Sequence, residues 1–365
     1  MDSMEIVERA RGMMVGIGAG NLLGIPWEGR SRTVIARQSR GAVREITARE
    51  GYPDDDDLAQ AILLAEACIE TAELDIADLM RRFWAWGELN GAGMGNLTWD
   101  VLHRFGGMAP RRALRNWARY GASPTGDVRE PLGADASDAA RLVWEDSGRS
   151  RAGNGSVMRC GPVALRWLHD DVALARNSVV SAVVTHWDRR CVWSTLLADF
   201  AIASCLRGEP VESDALLERA AAALSASRAE LTPLGLPQEP SASVRDAVET
   251  ALAPAARVDD LELDSSGIGY APKALGPVLW ASRHPARVQE GLLAIVNAGG
   301  DTDTNAAPAG AALGARFGLG GIPEDWRARV AEIRAWEAPV DGWVERGPLK
   351  EYADRLLALP GVEHG

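Results

Sequence analysis

Two short acidic stretches stand out because of what their oxygens could hold. Tyr52-Pro-Asp-Asp-Asp-Asp-Leu58 runs straight into an apolar, helix-spaced stretch, and Asn297-Ala-Gly-Gly-Asp-Thr-Asp-Thr-Asn305 does the same. Adjacent carboxylates repel, and a helix N-terminus relieves that by only about 0.3–1 kcal/mol per charge. Taken alone, the first run is either an over-charged N-cap on a solvated surface or a set of ligands for a hard divalent cation, which wants several oxygens from one short segment. In the second, two glycines permit close approach, and Asp301, Asp303 and Thr304 offer two carboxylates and a hydroxyl within one turn. A capped turn accounts for one acid there; a metal or phosphate site accounts for the density. If a fold brings the two clusters together, their repulsion needs a cation or two to be tolerable. A pair of metals can orient a substrate's hydroxyls and activate a water.

Three weaker signals accompany them. Ala152-Gly-Asn-Gly-Ser-Val-Met-Arg159 is a Gly-rich turn that the pattern places at a helix start, either a cradle for phosphate or ribose or a plain turn. His186, in Thr185-His-Trp-Asp188, falls between two helical stretches and is either a ligand contact or a cap or core group. Glu28 ends Gly20-Asn-Leu-Leu-Gly-Ile-Pro-Trp-Glu28 and follows a Pro–Trp bend, so it either projects into a cleft or is a surface acid.

The elements that must position these residues are helical. Apolar residues spaced by three and four predict helices over 4–20, 57–71, 74–89, 156–168, 171–184, 188–206, 212–226, 272–282, 285–297, 303–317 and 341–358. Period-2 strands are hard to find. The expected fold is all-α, a large single-domain helical bundle over 1–365, with surface excursions near 121–135 and 227–268 and a short helix near 243–253 in the second. Two stretches have very small faces: Gly16, Gly18, Gly20 and Gly24, and Ala306 to Ala315. Glycine inside a helix costs roughly 1 kcal/mol against alanine. Such a run implies either helices packed backbone to backbone or poor helix.

Bulk properties narrow the partners. The chain has 365 residues and a net charge of -12. A long basic stripe is absent, which argues against duplex nucleic acid but leaves a small phosphate-bearing ligand open. Cys68, Cys160, Cys191 and Cys205 form no CxxC pair and sit in apolar stretches, as buried thiols of a reducing compartment do. The N-terminus does not read as a signal peptide, and no apolar run approaches the ~20 residues of a membrane span. A cytoplasmic protein without a membrane partner is expected.

The five segments, in this order, resemble the ADP-ribosylglycohydrolase family, from about residue 8 to 328 and ending in Gly321-Ile-Pro-Glu-Asp-Trp326. The resemblance implies an all-helical hydrolase with two divalent cations, magnesium or manganese. It would cleave the bond between C1 of a ribose and a nitrogen or oxygen acceptor, on an ADP-ribosylated protein or a small ADP-ribosyl or nucleoside compound. It implies Asp301, Asp303 and Thr304 as later metal ligands and Asp55, Asp56 and Asp57 as earlier ones. Where the family has Thr-Asp-Asp-Thr, this chain has Asp55-Asp-Asp-Leu58, and a register one residue earlier, Asp54 to Asp57, stays open. Asn21 stands where the usual motif has Asp. Gly153, Asn154, Gly155, Ser156, Met158 and Arg159 correspond to a ribose and phosphate loop. His186 corresponds to a cleft position, Glu28 to an acid that closes over the metals, and Gly269-Tyr270 to a motif near the adenosine side. In the implied mechanism the metals hold the ribose 2′ and 3′ hydroxyls, water attacks C1, and Asp56, Asp57 or Glu28 takes its proton. Two alternatives remain: a glycosidase of small nucleotide or nucleoside metabolites, and a weakly catalytic ADP-ribose binder.

Overall fold

The computed structural model describes residues 3–47, 55–89, 91, 93–107, 135–232, 242–253, 255–331 and 348–362. Asp54, nearly all of the expected connection at 121–135, residues 233–241 of the second excursion and the start of the expected 341–358 helix lie outside these. In chain order the helices are α1 (Ser3–Gly24), α2 (Arg32–Gln38), α3 (Asp56–Glu70), α4 (Ile76–Leu89), α5 (Asn96–Gly106), α6 (Ala136–Asp146), α7 (Pro162–Arg166), α8 (Asp171–Val183) and α9 (Arg189–Arg207). They continue as α10 (Ser213–Ala226), α11 (Arg228–Leu231), α12 (Ala242–Leu252), α13 (Ala271–Arg283), α14 (Val288–Ala298), α15 (Thr302–Phe317), α16 (Glu324–Ala331) and α17 (Leu349–Leu357). The fold is all-α: among the described residues the only strands are β1 (Arg30–Ser31) and β2 (Gly299–Gly300), an antiparallel pair.

The small-faced stretches form the seam at the centre. α1 packs most extensively against α15. A Cβ on Gly16 would lie 2.1 Å from the Gly310 carbonyl oxygen, one on Gly20 2.0 Å from that of Ala306, and one on Gly24 2.4 Å from the Asp303 Cα. The backbones touch, so the intrinsic cost of helical glycine is offset by close packing, and the alternative of poor helix is set aside. α9 and α13 also pack on α15.

α3 shows how the core positions charge. Leu58, Leu63 and Leu64 are fully buried, and each such side chain contributes about 1.5–3 kcal/mol. That anchorage offsets the several kcal/mol per ion needed to bury the neighbouring Asp56 and Asp57. Leu58 therefore belongs to the core, where a threonine would bury a hydroxyl.

The expected helix over 156–168 is corrected. Residues 154–160 form successive turns, and only Pro162–Arg166 is helical. Gly161 takes φ +125, outside the helical range, and donates its N–H to Asp199 Oδ1 at 3.1 Å. Pro162 then opens α7 with a fixed φ and no N–H to satisfy. α2, α5, α6 and α16 lie where no helix is expected from spacing. Each is short, 7 to 11 residues, and lies between glycine-rich or polar stretches.

The four cysteines are free and buried, and burial pushes the Cys205 thiol up to about 11. No helix among the described residues is long and apolar enough to cross a membrane.

Candidate active site

A cleft of about 470 Å³ receives both acidic stretches. One wall is built from the starts of α3 and α15 and the bend after α1. Asp55 is the N-cap of α3, and Asp56 and Asp57 fill the first turn. Asp301 is the N-cap of α15 yet makes no capping bond; its Oδ2 instead accepts from Asn154 Nδ2 at 2.7 Å. The strand pair brings Glu28 to Asp301: Gly29 donates its N–H to the Gly300 oxygen at 2.9 Å. Gly300 has φ +84, and a Cβ there would lie 2.1 Å from the Leu263 oxygen, so glycine is required. The Thr302 hydroxyl donates to the Gly24 oxygen at 2.8 Å, tying the α15 start to the end of α1.

Carboxylate oxygens of Asp55, Asp56 and Asp57 lie within 4.8 Å of one another, and those of Glu28, Asp301 and Asp303 do likewise. Glu28, Asp56, Asp57, Asp301, Asp303 and Thr304 line the cleft. Asp55 stands just behind and adds its charge. Desolvation, then Asp55 and Asp301, pushes Glu28 up to about 7, although this rim residue is otherwise exposed. Burial, then the charges of their acidic neighbours, holds Asp56, Asp57 and Asp303 well above the usual carboxylate range. Burial likewise raises Asp301, against the bond from Asn154. No described lysine or arginine pairs with any of these acids, and the Asp57 Oδ1 is buried without a hydrogen-bond partner.

The opposite wall is the Gly153–Gly155 turn. It is held by the bridge between Gly153 and Tyr270, by Asn154 N–H to the Gly269 oxygen at 3.0 Å, and by Ala271 N–H to the Ala152 oxygen at 3.0 Å. Met158, His186, Gly269 and Tyr270 complete it. Arg190, paired to Asp188 at 2.8 Å, stacks 5.6 Å over the Tyr270 ring. Burial, then Arg159 and Arg151, lowers the His186 pKa far below the usual value, so the ring is neutral.

Two expected cleft residues are placed elsewhere. Ser156 and Arg159 are fully buried and do not line the cleft, because the turns after Gly155 swing them inward. Burial pulls Arg159 down to about 10. Asn21 is also buried away from the cleft, with both amide atoms unpartnered. Spacing had singled out neither the start of α5 nor Arg151, yet Gly93, Gly95, Asn96, Leu97, Thr98 and Arg151 line the cleft. A signal was present: Leu97, Val101, Leu102 and Phe105 share one buried face. Gly93 has its own reason, since a Cβ there would lie 1.8 Å from Asp55 Oδ1.

The architecture has counterparts. The family profile of the ADP-ribosylglycohydrolases matches residues 2–364. The chain is 24% identical to an ADP-ribosylarginine hydrolase of Pseudomonas putida, over 97% of this chain and 82% of the relative. It is 24% identical to an ADP-ribosyl-(dinitrogen reductase) glycohydrolase of Rhodospirillum rubrum, over the full length of both. An ADP-ribosylhydrolase of Bos taurus is also 24% identical, over 88% of each chain. Among solved structures, an ADP-ribosylglycohydrolase-related protein complex shares the fold, with a TM-score of 0.61, 24% identity, and coverage of 99% of this chain and 100% of that one. With a profile match across essentially the whole chain, this protein belongs to the ADP-ribosylglycohydrolase family of glycosidic-bond hydrolases.

Proposed function

We propose that this chain hydrolyses the bond between C1 of a ribosyl group and a nitrogen or oxygen acceptor on ADP-ribosylated molecules, with two divalent cations, magnesium or manganese, as resident cofactors. The observation that carries the reading is the meeting of two unpaired acid groups, 244 residues apart between Asp57 and Asp301, on one cleft opposite a Gly-Asn-Gly turn. The donor set fits hard cations: carboxylates and a hydroxyl, largely buried, without a counter-charge among the described residues, and with Asp57 Oδ1 unpartnered. Asp55, Asp56, Asp57, Asp301, Asp303 and Thr304 would hold them, with Glu28 at the rim. Bound there, the cations would supply charge neutralisation and polarisation of the sugar hydroxyls.

The chain's own residues do the rest. Asn154, bonded to Asp301, couples the turn to the acid wall and so fixes where a ribose can sit. Gly153, Gly155, Met158, His186 and Tyr270 receive the nucleotide portion. C1 gains positive character as its bond to the leaving group breaks, and the neighbouring carboxylates stabilise that charge. A water oxygen bonds to C1 as the bond from C1 to the leaving nitrogen or oxygen breaks, and the water's proton passes to Asp56, Asp57 or Glu28 and from there to the departing atom. The relatives named for ADP-ribosylarginine and for ADP-ribosylated dinitrogen reductase support protein-linked substrates.

The test is hydrolysis of ADP-ribosylated arginine, serine, small molecules and nucleic-acid ends, with and without a chelator. We expect turnover on at least one, lost on chelation and restored by magnesium or manganese. Full activity in metal-free protein removes the cations from the proposal. Tight ADP-ribose binding with no turnover on any substrate makes the protein a binder.

A further inference from the structure

We infer that buried Arg159, acting through the Thr185 hydroxyl, fixes His186 as the tautomer with its hydrogen on Nε2, and so presents a neutral hydrogen-bond donor to a substrate oxygen in the cleft. Arg159 and Thr185 are on this view positioning residues for His186.

Arg159 is fully buried with no carboxylate partner among the described residues. Its Nη1 donates to Gln60 Oε1 at 2.6 Å, its Nη2 donates to the Ser181 oxygen at 2.5 Å and to Thr185 Oγ1 at 2.8 Å, and it lies 4.8 Å over the Phe83 ring. A guanidinium only donates, so Thr185 Oγ1 is an acceptor in that bond. The Thr185 hydroxyl has one hydrogen of its own, and the residue is fully buried. Its only other partner among the described residues is His186 Nδ1, at 2.8 Å. Were Nδ1 to carry a hydrogen, the buried hydroxyl would have no acceptor, a penalty of the full desolvation kind. Nδ1 therefore accepts, and in a neutral ring the hydrogen is on Nε2.

That nitrogen lies beside Gly153 and Gly155, which line the cleft together with His186. A Cβ on Gly155 would lie 3.0 Å from it and one on Gly153 3.3 Å, so the two glycines leave the approach open. No described residue accepts its hydrogen. Burial and the positive charges of Arg159 and Arg151 keep the ring from taking a second proton. With hydrogen on Nε2, His186 cannot ligate a cation through that nitrogen. It serves instead as a donor for phosphate or hydroxyl oxygen. That last step rests on the ADP-ribosyl reading of the cleft; the tautomer does not.

The experiment is a long-range proton–nitrogen spectrum of full-length protein labelled in its five imidazoles, with the His186 signals identified by their loss in His186→Gln. We expect an unprotonated-type Nδ1 and a protonated-type Nε2, unchanged across the pH range where ordinary histidines titrate. Thr185→Val and Arg159→Met should each populate the other tautomer, while Thr185→Ser should restore the parent pattern. The threonine pair keeps the test intact should Arg159→Met not fold. ADP-ribose affinity by calorimetry should fall about tenfold in Thr185→Val, the worth of one good hydrogen bond to a charged group, and return in Thr185→Ser. A parent spectrum with hydrogen on Nδ1, or a Thr185→Val spectrum identical to the parent, overturns the inference. Parent protein that shows the expected tautomer but binds no ADP-ribose supports the tautomer and overturns the substrate reading instead.

Discussion

The two walls of the cleft handle charge in opposite ways. The acid wall gathers Asp55, Asp56, Asp57, Asp301, Asp303 and Glu28 with no described basic partner, and burial beside like charges pushes the carboxyls of Glu28, Asp56, Asp57, Asp301 and Asp303 towards their protonated forms. The wall behind the Gly153–Gly155 turn buries one positive charge, Arg159, and spreads it over a glutamine, a carbonyl and a threonine. The first wall gathers like charges without a described counter-charge; the second holds its one charge on neutral acceptors, with the Arg159 Nε left unpartnered. Mutual repulsion among buried like charges is relieved by a ligand or by protons, whereas a cation held by fixed dipoles needs neither.

The largest effect should come from the seam that carries the acid wall. Gly20→Leu puts a side chain where a Cβ already lies 2.0 Å from the Ala306 oxygen. We expect loss of the cooperative thermal transition and of all activity, since α1 and α15 must separate. A folded, active Gly20→Leu protein would show that the seam is not what sets the wall.

Next is Asp303→Asn, which keeps size and removes one charge. Turnover should fall by more than the roughly 10–100-fold typical of residues around a metal ligand. Metal affinity, read by titration calorimetry, should fall with it, while the melting temperature of the metal-free protein holds or rises because repulsion drops. Parent-like turnover would take Asp303 out of the ligand set.

Asn154→Ala tests the bond that joins the walls. Losing a hydrogen bond to a charged group is worth about 1.5–3 kcal/mol, so ADP-ribose affinity should weaken by roughly tenfold or more. Unchanged affinity would mean that the two walls bind independently.

The smallest effect is on stability against pH. Glu28 has its pKa raised from 4.5 to about 7 in the folded protein. The folded state thus holds more protons than the unfolded chain between those values, and stability falls as pH rises through that window. Denaturant melts of metal-free protein should show this decline, and saturating magnesium should flatten it. A metal-free protein that gains stability from pH 4.5 to 7 would contradict the charge balance of the acid wall.

What was legible in the sequence is what contiguous residues do by themselves. Asp55 to Asp57 and Asp301 to Thr304 announce a polyoxygen site because the donors come from single helix starts. The alternating small residues of 16–24 and 306–315 announce a close seam because a helix face repeats every three to four positions. The 3.6-residue period likewise made the helical class readable. Tertiary structure decided the rest. Whether Leu58 faced the acid cluster or the core depended on the phase of α3 against its neighbours, and packing turned it inward. Ser156 and Arg159 looked like cradle residues by proximity to the glycines, but Gly161 and Asp199 bend that segment away from the expected helix and turn both side chains inward. The start of α5 and Arg151 joined the cleft from segments with no chemical pattern of their own. The bonds from Arg159 to Gln60 and Thr185 span 99 and 26 residues. Local composition sets which charges exist; only the packed chain sets which of them face one another, because pairing energy depends on distance in space and not along the sequence.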